Sequence, residues 1–127
     1  MFFYGQGVEE NDSEAGKYYK KAIDLGYDDW DILGNYGMIL YRDDNFEESA
    51  KYFAKSAKIT NEPMTCYNAG LAYYAAEDYD NALTWFGKAI DNGYYNPDEA
   101  RSMIRSMADE GLVSEKDAEK YLTTKNG

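Results

Sequence analysis

Apolar residues in this chain recur three and four positions apart, in runs of about a dozen residues separated by short polar breaks. Ala15, Tyr18, Tyr19, Ala22, Ile23 and Leu25 make the first such stripe, and Gly26 ends it. The turn Gly5-Gln-Gly-Val8 precedes it, and Asn11-Asp-Ser13 offers caps for a helix over roughly 12–25. Ile32, Leu33, Tyr36, Ile39 and Leu40 form the second stripe, started by Asp28-Asp29 or Asp31 and stopped at Arg42-Asp-Asp-Asn45. Phe46–Ile59 is a third amphipathic run. Pro63 then suits the first turn of a fourth, because the N–H it lacks would be unpaired there anyway. That helix is expected to reach about Ala76, and Tyr79–Asp91 is the next, stopped by Asn92-Gly93. Asn96-Pro97-Asp98-Glu99 opens another, with Ala100, Met103, Ile104 and Met107 on one face. Ser114-Glu-Lys-Asp117 resembles a capping box and starts a short last helix to about Leu122. Nothing alternates with period two, so no strand is predicted. Turns of two to five residues between helices force antiparallel neighbours.

The pattern also repeats at long range. Leu33-x-x-Tyr36-Gly37-x-x-Leu40 aligns with Cys66-x-x-Ala69-Gly70-x-x-Tyr73, 33 residues on. Phe46-x-x-Ser49-x-x-x-Phe53-x-x-Ser56 aligns in the same phase with Tyr79-x-x-Ala82-x-x-x-Phe86-x-x-Ala89, and Ala15-x-x-x-Tyr19-x-x-Ala22 repeats the second half upstream. A fixed period of this length means stacked supersecondary units, none able to bury its apolar face alone.

These residues resemble the tetratricopeptide repeat, in which aromatic and small residues alternate at set spacings, and Asn35 and Asn68 match that family's frequent asparagine. The upstream copy is similar to the Sel-one-like branch, with Gly5-Gln-Gly7-Val8 ahead of Ala15, Tyr19 and Ala22. The resemblance covers about residues 1–96 and implies an all-α, right-handed α-solenoid of antiparallel helix pairs in one domain. Its units are a partial Sel-one-like repeat at 1–27, tetratricopeptide repeats at 28–62 and 63–96, and degenerate capping helices at 97–127. Gly37 and Gly70 are expected where the helices of a pair cross, with Ala82, Ala89, Ser49 and Ser56 opposite. Phe53 and Phe86 are expected to fill the space between successive pairs. Ser49 and Ser56 stand where the family has alanine, a polar change that helix backbones can satisfy. The first unit begins mid-motif, leaving Met1–Tyr4 as the stub of a helix, whether by excision or by a shortened gene.

In such repeats the first helix of each pair lines an inner groove. The resemblance therefore nominates Asp31, Met38, Tyr41 and Arg42 in one repeat, with Gly34 beside them, and Met64, Tyr67, Leu71 and Tyr74 in the next, with Ala75. Tyrosine offers large contact area at low entropic cost and methionine adapts to varied partners. The same aromatic positions also serve packing between first helices, and both readings stay open. Tyr19, Tyr36, Tyr52, Tyr73 and Tyr79 are assigned to the core or its edge, and Tyr94 and Tyr95 to the underside of the cap. The final helices either close the stack or fold over its groove.

Composition narrows the chemistry. The formal charge of −11 in 127 residues argues against nucleic acid or an anionic membrane as partner, and it permits a basic one. With no histidine and Cys66 alone, no intramolecular disulfide and no His/Cys zinc site can form, and a cysteine nucleophile would lack its base. Asp28-Asp29-x-Asp31 and Asp43-Asp44-Asn45-x-Glu47 lack the spacing and glycine of an EF-hand loop, and read as caps at turns. Cys66 is expected buried and inert. No segment has the length of a membrane span or the shape of a signal peptide, which with the absence of disulfides favours a soluble, cytoplasmic protein. The sequence thus points to a non-catalytic interaction scaffold or adaptor, without cofactor, that docks a peptide or helix of another protein, basic or apolar, in its groove. The alternative is a structural, self-associating element stacking end to end through apolar surface around Phe2, Phe3, Tyr18 and Tyr19.

Overall fold

A computed structural model describes the backbone of residues 7–122 and the side chains of residues 12–122. Among the described residues there are seven helices and no strand: α1 (Gly7–Asp24), α2 (Trp30–Arg42), α3 (Phe46–Thr60), α4 (Pro63–Ala75), α5 (Tyr79–Asp91), α6 (Pro97–Asp109) and α7 (Glu115–Leu122). Each helix packs against its neighbours in sequence, and α7 also reaches back to α5. The chain is a solenoid of antiparallel helix pairs, α2 with α3 and α4 with α5, flanked by α1 on one side and by α6 and α7 on the other.

Local chemistry accounts for the helix ends. Pro63 and Pro97 open α4 and α6, and Asn96 caps α6 by accepting from Glu99 N–H at 3.3 Å. Ser114 Oγ accepts from Asp117 N–H at 3.0 Å, which is half of the expected capping box. Five of the turns share one C-terminal device. The second residue past the helix takes a left-handed φ, at Gly26, Asp44, Glu77, Gly93 and Gly111. The next residue's N–H bonds back across the turn, as Asn45 to Leu40, Asp78 to Tyr73 and Leu112 to Met107 at 2.8 to 2.9 Å. Two of these left-handed positions carry an acidic side chain instead of glycine, so the sequence marks them only as polar breaks.

The first helix departs from expectation. It already includes Gly7, so the cap reading of Asn11-Asp-Ser13 fails and the proposed turn is helical from Gly7 onward, while Gly5 lies outside the described residues. Asp12 is engaged in an ion pair across to α2 instead of capping. Tyr18 and Leu25, counted on the apolar stripe, are exposed; Ala15, Tyr19, Ala22 and Ile23 are half-buried.

The core runs from α3 to α7 and is thickest around α4 and α5, with Phe86, Ile104, Met107 and Cys66 fully buried. Helix crossings depend on small residues. A methyl group on Gly37 would meet the Phe53 ring at 3.2 Å, and one on Gly70 would meet Phe86 at 2.6 Å. Phe53 and Phe86 therefore pack into the crossing of their own pair, where the glycine leaves room. Ser49 Oγ donates to the Gly37 carbonyl and Ser56 Oγ to the Trp30 carbonyl, both at 2.7 Å. The two serines are thus satisfied by the backbone of α2, across the pair, rather than by their own helix. The end of the stack is closed by α7, whose Tyr121 ring lies where a Gly87 side chain would stand, while Arg101 Nε donates to the Tyr121 carbonyl at 3.2 Å. α7 lies against α5 and α6, the position of a cap.

Candidate protein-docking surface

The exposed face of the first helices is built by register. With helices in phase 33 residues apart, Asp31 corresponds to Met64, Gly34 to Tyr67, Met38 to Leu71 and Tyr41 to Tyr74. Met38 is 39% exposed and Leu71 half-buried, so the two form matching apolar points on α2 and α4. Tyr41 and Tyr74 are half-buried and each leans edge-on against the first aromatic of the following helix, Phe46 at 5.0 Å and Tyr79 at 5.6 Å between ring centres. Such pairs fix the ring while leaving one flank open. Asp31 and Met64 are exposed at the helix starts, and Asp31 Oδ1 accepts from Ile32 N–H at 2.9 Å. Gly34 faces inward onto Ser56 Oγ and has no part in the open surface.

Tyr67 and Arg42 are placed otherwise than the groove reading requires. Tyr67 is only 7% exposed: its ring stacks on Tyr94 at 4.5 Å and 13°, and lies 5.4 Å from Phe86. Gly34 leaves that register position empty in one repeat, and Tyr67 fills it in the next because Tyr94 and α6 lie over it. Burial, with the Glu99 carboxylate nearby as the next cause, pushes the Tyr67 phenol up to about 12. Tyr94 is likewise held neutral, by burial first and then by donating its O–H to Glu99 Oε1 at 2.8 Å. Tyr67 is a floor beneath the surface, not a contact on it. Tyr95 is 76% exposed, so only Tyr94 of that pair packs under the cap. The signal for Tyr94 was its place directly after the helix-ending Gly93, where an apolar residue folds back on the helix.

Arg42 makes a two-pronged ion pair with Asp12, Nε to Oδ2 at 2.9 Å and Nη2 to Oδ1 at 3.2 Å. This geometry fixes the guanidinium toward α1. A contact 30 residues apart in sequence has no local signature. The pair rims a half-open cleft of about 350 Å³ between α1 and α2, floored by Gly16, Tyr36 and Ile39. The acidic runs 28–31 and 43–47 sit at turns and helix starts, and among the described residues no three acidic or thiol side chains converge on one point. Cys66 is buried, its thiol pushed up by desolvation, with Asn92 Nδ2 3.7 Å from Sγ. No helix among the described residues is long and apolar enough to cross a membrane.

Family comparison agrees with this architecture. The Sel1 repeat model matches residues 1–27 and 33–60, and the tetratricopeptide repeat model matches 65–92. The chain belongs to the Sel1/tetratricopeptide-like repeat proteins. Within this repeat protein the α2–α3 pair, read above as a tetratricopeptide repeat, is matched by the Sel1 model, as are residues 1–27. Intraflagellar transport protein 70A of Danio rerio is 29% identical over 85 residues, 66% of this chain and 13% of that protein. Intraflagellar transport protein 70B of Mus musculus is 28% identical over 90 residues, 70% of this chain and 12% of that protein. The repeat protein therefore spans a small fraction of the length of these relatives, and the likeness is that of a helical-repeat scaffold for protein interaction.

Proposed function

We propose that this repeat protein is a non-catalytic docking module that receives a peptide or helix of another protein across α2 and α4. Met38 and Leu71 act as the apolar anchors, Tyr41 and Tyr74 as flanking walls, and Asp31 and Met64 as the contacts at the helix starts. Arg42 contributes from its fixed pose beside Asp12, and Tyr67 sets the floor. The observation that carries this reading is the identical register of the open apolar positions on two helices that α7 leaves uncovered. Helix-in-groove and extended docking both suit a surface two helices wide, with affinity on the order of micromolar. The charge of −11 favours a basic or apolar partner over nucleic acid or an anionic membrane, and a single cysteine without a disulfide partner fits a cytoplasmic setting.

A peptide-display selection on the purified protein tests it, repeated on Met38→Ser/Leu71→Ser after circular dichroism verifies the fold. Enrichment of one motif that the variant loses is the expected result. A motif that the variant retains places binding elsewhere. A second reading, end-to-end self-association, rests on Tyr18, which is exposed on α1. Phe2 and Phe3, invoked for the same surface, lie outside the described residues. Sedimentation velocity from 5 to about 200 μM, the range in which a weak dimer forms, would show rising mass if it holds and a constant monomer if it does not.

A further inference from the structure

Exposed large apolar side chains are distributed unevenly between the two edges of the solenoid. In a stack of antiparallel pairs, the turns α1–α2, α3–α4 and α5–α6 share one edge, and α2–α3, α4–α5 and α6–α7 share the other. Leu25, Tyr27, Trp30, Ile59, Met64 and Tyr95 all lie at the first edge, each between 43% and 76% exposed. They recur with the repeat: Leu25 just past the end of α1 matches Ile59 near the end of α3, Trp30 and Met64 lie at the starts of α2 and α4, and Tyr27 and Tyr95 sit in the turns. At the other edge the aromatics cover one another, Tyr41 on Phe46 and Tyr74 on Tyr79, the turns carry Asp43, Asp44, Glu77, Asp78 and Glu110, and the apolar Leu112 and Val113 of the last turn are half-buried and buried. Each of these side chains keeps a large open flank, even Tyr95, whose ring leans on the buried Tyr94 at 5.0 Å.

The charges around the ridge choose its occupant. Asp28, Asp29, Asp31, Glu62, Asp91 and Asp98 border it, against fewer cations, Lys21, Lys58, Lys88 and Arg101, the last paired with Asp98 at 3.2 Å. A second copy of this chain would bring the same negative field, and an anionic membrane would be repelled. A segment in which lysines or arginines alternate with apolar anchors satisfies both features. We infer that the edge formed by the α1–α2, α3–α4 and α5–α6 turns is a second docking surface, for a basic amphipathic segment of another protein. It adjoins the face carried by Met38 and Leu71, and Asp31 and Met64 stand at the corner where the two meet.

The test uses a synthetic 18-residue peptide of leucine and lysine in amphipathic order, without tryptophan. One control has glutamate in place of lysine and the other has serine in place of leucine. Titration into the full chain is followed by amide chemical shifts and by Trp30 fluorescence in a Trp85→Phe background. The expected result is saturable shifts confined to residues 25–31, 59–64 and 93–98, weakened at least tenfold by Tyr27→Ser/Ile59→Ser and unchanged by Met38→Ser/Leu71→Ser. Both control peptides should bind at least tenfold more weakly. Shifts centred on Met38 and Leu71, indifference to the edge variant, equal binding of either control, or dimerisation through the edge without peptide would each overturn the inference. Because all four substituted side chains are at least partly exposed, circular dichroism of the variants separates lost binding from lost fold.

Discussion

Gly70→Ala is the sharpest test of how the helix pairs are held. A Cβ at this position would lie 2.6 Å from Cδ1, 2.7 Å from Cε1 and 3.1 Å from Cγ of Phe86. Comfortable carbon contacts begin near 3.5 Å, so α4 and α5 must part by roughly 1 Å, or the ring must leave its rotamer. Phe86 has no exposed surface and rests against Tyr67, which leaves it nowhere to turn. Overpacking of this kind costs about 1–3 kcal/mol, while alanine gains about 0.8–1.0 kcal/mol over glycine in a helix interior. A contact as short as 2.6 Å puts the strain at the upper end, about 2–3 kcal/mol, so the net expectation is a loss of about 1–2 kcal/mol, or a fall of roughly 3–8 °C in Tm for a domain of this size. Gly37→Ala supplies the internal comparison. Its nearest contact with Phe53 is 3.2 Å, which a shift of a few tenths of an ångström relieves, so the helix gain should offset the strain to within about 0.5 kcal/mol. Urea denaturation by circular dichroism measures both. A Gly70→Ala protein as stable as the parent, or less damaged than Gly37→Ala, would refute the argument that this crossing is set by the missing side chain.

Gly87→Ala should act differently, because the atoms it meets belong to Tyr121 on the terminal α7; hydrogen exchange should show lost protection over 115–122 with α4 and α5 still protected. Glu77→Gly, at φ 64°, should stabilise by about 0.5–1 kcal/mol in the same urea assay, since glycine takes the left-handed region without a Cβ penalty. Alkaline pH should destabilise the fold through Tyr67 and Tyr94. Their folded phenols are raised above the unfolded value near 10, so their contribution is complete below pH 10 and is lost as pH climbs toward about 12 for Tyr67. Each contributes a slope of up to about 1.4 kcal/mol per pH unit in that window. Urea midpoints at pH 9 and about 11.5 should fall for the parent and fall less for Tyr67→Phe/Tyr94→Phe; equal slopes would remove these phenols as the cause.

Helix positions, the phase of the repeat and the glycine crossings were legible in the sequence because each is decided within one turn or one period. Apolar spacing sets which face of a helix is buried, and a 33-residue echo sets which helices are equivalent. The docking candidates on α2 and α4 follow from the same register. What a period cannot state is how the next unit changes equivalent positions. Gly34 and Tyr67 share one place in the repeat, yet only Tyr67 is roofed by Tyr94, and that decision belongs to the turn into α6. Arg42 looked like a free cation until α1 brought Asp12 to it, and Ser49 and Ser56 looked like helix-internal polar residues until α2 offered its carbonyls. The ridge along one edge likewise exists only once antiparallel packing has gathered three turns on the same side. Periodicity is a local property of the chain; cover, pairing and edge are properties of what the chain is packed against, and the tertiary structure alone decides them.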